Sequence, residues 1–301
     1  MFKDELLDAL VVAFALPFII SAGILVLLWK PWRTSPVRAA GEWRGALALA
    51  IGLLTIHVYV LGLPAFPPAE AIDKLFYVVL IAVSYSLIDE PRRVPGSMRW
   101  FSRFCLAASV VIFLLQPQLK TAGWSTLESA AWLGGLALAT FGEWSAVDSL
   151  LGRSKPSALI VLAGMSVGTA VVASVSASVK LELLASALAG SLVAYFPLRL
   201  LRRPPMVDRG AAALVILATA TVWIIGYFFC EVPASCLISL AITPWPVLLM
   251  EARLPRPTAW RRKVLAFLLV SLPVATACYL AIEQYVWTII RPVLEGAQAG
   301  N

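Results

Sequence analysis

Ten long apolar stretches, separated by short polar turns, constrain this chain more than any other feature. A bilayer core takes about 20 apolar residues per helix, with a range of about 17–25. Segments of that kind run roughly over 6–29, 45–63, 71–88, 101–117, 127–147, 157–178, 182–200, 210–229, 236–250 and 264–290. Backbone groups in lipid must be paired within the spanning structure, which leaves helices or a closed barrel. The apolar runs show no alternation at period two, and that selects helices. The expected fold class is therefore an all-α integral membrane protein. It is a polytopic bundle of about ten transmembrane helices, forming a single transmembrane domain over 1–301. Composition agrees: 60% of residues are hydrophobic and 14% charged, against roughly 25% charged in a soluble domain. That excludes a soluble enzyme, a disordered chain and a nucleic-acid-binding domain.

Basic residues set the expected orientation, because cytoplasmic loops are enriched in Lys and Arg. Of the 24 basic residues, 19 fall in the turns after the first, third, fifth, seventh and ninth segments. The other side holds only Lys3, Lys74, Lys120, Lys180 and Arg291. This alternation predicts five hairpins with basic turns in the cytoplasm and both termini outside, in a plasma (inner) membrane. The basic turns, and the formal net charge of +7, then face anionic lipid rather than nucleic acid. A second copy of the chain or another membrane protein is the expected protein partner. Trp29, Trp32, Trp43, Trp100, Trp144 and Trp260 flank cytoplasmic ends, and Trp124 and Trp287 flank outer ends. Indoles favour that interface because the ring is apolar and its N–H is polar. The first residues, Met1 to Asp8, carry net negative charge. A cleavable signal needs the opposite sign, so the first span is expected to stay in the protein.

Each cytoplasmic turn pairs an Arg with a nearby Pro: Arg33/Pro36, Arg93/Pro95, Arg153/Pro156, Arg203/Pro204 and Arg253/Pro255. Topology and helix stopping account for the pattern. The third and ninth segments are the shortest, and Pro244-Trp-Pro246 breaks the ninth. Short or Pro-broken segments at corresponding positions point to a substrate site in membrane carriers. The expected site therefore lies beside these two spans.

Ionisable residues inside spans are costly and functional by default. The single histidine, His57, lies in the outer half of the second segment. One histidine cannot build a bis-histidine haem site or a di-histidine metal centre; no cofactor, metal site or catalytic set is expected. Glu283 lies at a depth similar to His57, roughly 10 Å below the outer boundary at 1.5 Å per residue. Equal depth permits a hydrogen bond between them. Glu143 lies between one and two turns from the cytoplasmic end of the fifth segment. In the sixth, Ser166, Thr169 and Ser176 share one helical face, beside Gly164-Met-Ser-Val-Gly168. Small residues let membrane helices approach closely. This face either packs tightly or lines a cavity. The candidate pathway is thus His57, Glu283, Glu143, Pro244, Pro246, Ser166, Thr169 and Ser176. Cys230 and Cys236 flank a Pro233 turn on the outer, oxidising side, where they can form a disulfide.

Ten spans in about 300 residues is similar to the drug/metabolite-type permeases, although those usually keep both termini inside. The stretch Cys236 to Tyr285, with Trp260-Arg-Arg-Lys263 before an apolar run through Pro273, resembles membrane-embedded sorting peptidases of the exosortase type. Those use a Cys nucleophile with an Arg and usually a downstream His. Here no His follows Cys236, and the last span contains no Arg. Three functions follow in order. The first is a permease or carrier for a small solute. The second is a non-catalytic membrane subunit or assembly scaffold. The third is a membrane-embedded enzyme acting on lipid or peptide.

Overall fold

A computed structural model describes residues 2–29, 43–68, 70–88, 95–175, 178–198, 200–201, 207–253 and 259–287. Among these the regular structure is entirely helical. The helices are α1 (Phe2–Trp29), α2 (Arg44–Leu61), α3 (Lys74–Ile88), α4 (Gly96–Thr121), α5 (Thr126–Arg153), α6 (Lys155–Ser174), α7 (Val179–Val193), α8 (Tyr195–Leu198), α9 (Arg209–Phe229), α10 (Ala234–Ala241), α11 (Pro244–Arg253) and α12 (Ala259–Tyr285). Each expected segment falls on helix. Eight helical stretches are long and apolar enough to cross a membrane, with α7–α8 and α10–α11 each counted as one. The two others are α3 and α5. At 15 residues, α3 rises only about 22 Å, short of a hydrocarbon core of about 30 Å. At 28 residues α5 is long enough, but Glu128, Glu143 and Asp148 dilute its apolar character.

Polar residues set the helix starts. Ser125 and Glu128 form a capping box at α5, with Ser125 N–H donating to Glu128 Oε2 at 2.8 Å. Ser154 accepts from the Ser157 amide at α6, and Ser178 accepts from the Leu181 amide at α7. Each side chain satisfies one of the amides that a helix leaves unpaired at its start. Asp208 does this for two helices at once. Its Oδ1 accepts from the Ala211 amide of α9 at 2.7 Å, and its Oδ2 accepts from the Gly45 amide of α2 at 2.9 Å. Asp208→Ala should therefore cost about 1–2 kcal/mol, at the upper end for a lost cap, because two helix starts lose an acceptor. Hydrogen exchange would check this through faster exchange at both the Gly45 and Ala211 amides.

The bundle is built around α9. Its residues from Gly210 to Gly226 are buried without interruption, as expected of a helix that is apolar on every side. Six helices surround it. Each of α2, α3, α4, α5, α6 and α7 packs on α9, and neighbours around the circle pack on one another, with α7 closing against α2. Outside this ring, α1 lies along α2 and α7, while α10 to α12 lie against α5 and α6.

Small residues permit the closest approaches. The backbone of Gly190 in α7 lies under the Phe14 carbonyl of α1, and Gly52 in α2 lies under the hydroxyls of Ser21 and Ser191. Ser21 Oγ donates to the Ala48 carbonyl at 3.0 Å. Gly164 and Gly168 of α6 meet Val270 and Val274 of α12, and Gly168 also meets Leu240. The small-residue pattern of α6 thus serves helix packing. Pro117 inside α4 cannot donate to the Phe113 carbonyl four residues back. Lys74 of α3 supplies the missing donor, with Nζ 2.7 Å from the Phe113 oxygen.

Ion pairs join one end of the bundle. Asp148 of α5 accepts from Arg209 Nε of α9 at 2.8 Å and from Arg103 Nη1 of α4 at 3.1 Å. Arg103 is 2% exposed and its guanidinium lies over the Trp144 ring. The edge of that ring meets Tyr85 of α3, whose hydroxyl pairs with Ser102 of α4 at 2.8 Å. Nearby, Ser157 of α6 donates to Glu251 of α11 at 2.6 Å.

Candidate binding groove

Three apolar faces meet outside the ring, between α5, α9 and α10. From α5 come Trp132, Leu136, Ala139, Thr140 and Glu143; from α9, Ala220, Trp223, Ile224, Tyr227 and Phe228; from α10, Ala234, Leu237, Ile238 and Ala241. Each set follows the three- and four-residue spacing of a helical stripe. The stripes enclose a groove of about 250 Å³. That is just below the roughly 300–1,000 Å³ of sites that bury drug-sized ligands. Trp132 and Ile238 are exposed and flank its open side. From Trp132 to Glu143 the groove follows α5 for about 16 Å at 1.5 Å per residue.

One end is aromatic. Trp132 meets Phe228 at 5.2 Å and Tyr227 at 5.6 Å between ring centroids, and Trp124 stacks on Trp132 at 6.4 Å. Trp223 forms the wall further in. Its indole N–H donates to Thr169 Oγ1 of α6 at 2.8 Å, and Thr169 in turn donates to the Met165 carbonyl. That pair fixes the ring from behind.

The opposite end holds Glu143. The residue is 4% exposed, and its Oε2 has no hydrogen-bond partner. A buried acceptor without a donor is costly and calls for an explanation. Glu143 lies further from the end of its helix than the expected segment places it. The helix does not stop near residue 147 but continues to Arg153, because Asp148 is held by its two arginines. Glu143 is consequently nearly three turns, or about 15 Å, from the end of α5.

The remaining candidates are dispersed. Thr169 acts behind the groove wall. Ser166 is buried in α6 with its hydroxyl unpartnered, and does not line the groove. Ser176 lies outside the described residues. Pro244 and Pro246 begin α11, directly after the α10 segment whose Ala241 is the last to line the groove. His57 is buried in α2 against the Phe76 ring at 5.4 Å, and neither ring nitrogen has a hydrogen-bond partner. Glu283 is exposed near the end of α12. These two residues therefore do not pair. Cys230 and Cys236 are free thiols. Burial raises the Cys230 thiol above its usual range, which lowers its reactivity at neutral pH. Cys236 is buried outright and does not line the groove.

Of the third and ninth spans, only the ninth lines this groove, through α10; α3 lies on the ring and is not among the described lining residues. The aromatic residues of the groove carried a signal in the sequence, the spacing Trp223, Tyr227 and Phe228 along one face of α9. No known protein family matches the chain, and no curated protein is detectably similar to it. The site must be read from its own chemistry.

Proposed function

We propose that this polytopic membrane protein is a permease for a small lipophilic solute, which it takes from the surrounding lipid into the groove between α5, α9 and α10. In this reading the chain crosses a plasma (inner) membrane ten times as five hairpins. Its basic turns lie in the cytoplasm beside anionic lipid, and both termini lie outside. The observation that carries the proposal is the unpartnered Glu143 carboxyl at the inner end of an otherwise apolar groove with an exposed side. A protein that only needed to pack would gain by an apolar residue there. The open flank at Trp132 and Ile238 suits a solute that arrives dissolved in lipid rather than in water.

The packed centre of the bundle favours a second reading. With α9 filling the ring, the molecule suits a non-catalytic membrane subunit whose groove receives a helix of a partner protein.

Flux measurement separates the two. Three probes share a six-carbon chain and cross bilayers slowly: hexyltrimethylammonium, hexyl glucoside and hexanesulfonate. The carrier reading expects protein-dependent flux of at least one of them into proteoliposomes. Ala139→Trp, which fills the groove with a bulky ring, should lower that flux about tenfold, the scale of about 1.4 kcal/mol of lost binding. Flux of none of the three, or flux unchanged by Ala139→Trp, would refute the permease.

A further inference from the structure

The chemistry of the groove also selects its ligand, and this step rests on the reading of the groove as a solute site. Among the described lining residues Glu143 is the only ionisable group of either sign apart from the Tyr227 phenol, and none is Lys, Arg or His. The indole N–H of Trp223 already donates to Thr169. An anionic head group would therefore meet no cation and would lie beside a carboxyl. A positively charged head meets the opposite situation. Glu143 supplies an unpartnered acceptor that is nine-tenths buried and lines the groove. Trp223, which lines the groove inward of the aromatic end, supplies a ring face whose negative quadrupole attracts ammonium groups.

We infer that the groove binds a lipophilic cation, a small amphiphile with an ammonium or similar group. The carboxylate of Glu143 is its counter-ion, and its apolar part lies along Leu136, Ile224 and Leu237. The cation and the carboxylate neutralise each other inside the bundle, which offsets the cost of burying either. The orphaned Oε2 is thereby explained: its partner belongs to the ligand.

Binding of the same three probes to the purified full-length protein in phosphatidylcholine nanodiscs tests this. Hexyltrimethylammonium cannot lose its charge, so its binding reports on attraction to the carboxylate and the ring alone. The wild-type protein should bind it at least about tenfold tighter than hexyl glucoside or hexanesulfonate. Glu143→Gln should abolish that preference, bringing hexyltrimethylammonium to the affinity that the same variant shows for hexyl glucoside. Trp223→Leu should weaken the cation more than the glucoside. Should Glu143→Gln fail to fold, the wild-type comparison across the three probes still decides. Equal affinity for cation and glucoside, or tighter binding of the sulfonate, overturns the cation assignment while leaving a solute groove in place. Binding of none of the three, with or without Ala139→Trp, refutes the groove itself.

Discussion

Asp148→Ala should be the most damaging single substitution at the polar end of the bundle, costing about 3–5 kcal/mol, the range for breaking a buried ion pair from one side. The carboxylate joins three helices. It receives Arg103 from α4 on both oxygens and Arg209 from α9 on Oδ1, while itself belonging to α5. Removing it leaves the Arg103 guanidinium, at 2% exposure, without that counter-charge and with no route to water. Truncating Arg209 should cost less, because a quarter of its side chain is exposed and water can replace the contact. Arg103→Lys should be intermediate: it keeps the charge but loses the planar fork that engages both carboxylate oxygens. Unfolding in mixed micelles would rank the variants. Equal stability of Asp148→Ala and wild type would show that the triad is not a structural tie.

A substitution that usually stabilises helices should do the reverse at Gly190. Replacing a helical Gly by Ala gains about 1 kcal/mol where the site is open. At Gly190 the new Cβ would meet the Phe14 carbonyl of α1, which is backbone and cannot rotate away. The α1 and α7 axes would have to separate, and overpacking of this kind costs about 1–3 kcal/mol. Gly134 in α5 provides the control, since a Cβ there meets nothing within 4 Å. Gly190→Ala should lower the unfolding midpoint and Gly134→Ala should hold or raise it. Two shifts of the same sign would mean that the α1–α7 contact is not as close as described.

Hydropathy located the helices because lipid imposes its own length and polarity on any segment crossing it. The break at Pro244 and the tight packing of the α6 glycines are legible for related reasons: a missing amide and a missing side chain have local consequences. Which helix meets which is not local. Arg103 and Arg209 read as topology charges, yet both converge on one carboxylate. Trp124 reads as an interfacial anchor, and it stacks on Trp132 at the aromatic end of the groove. Glu143 was found because a carboxyl inside a span is conspicuous. The length of its helix was not legible, because the charges near the end of α5 look like the end of a span. The His57–Glu283 pairing failed for the same reason that the aromatic wall was missed. Depth along a helix can be counted from residues, whereas position around the bundle depends on neighbours supplied by distant parts of the chain.

The surrounded position of α9 bears on how the protein is made. Synthesis runs from the N-terminus, so all six helices of the ring leave the ribosome before the helix that fills it. Until residues 209–229 emerge, the ring lacks the helix at its centre, although α7 can already meet α1 and α2. The packing of the ring is therefore expected to be complete only when residues 209–229 are released. A ribosome stalled at the turn before α9 should leave a protease-sensitive intermediate, and one stalled after it a resistant core.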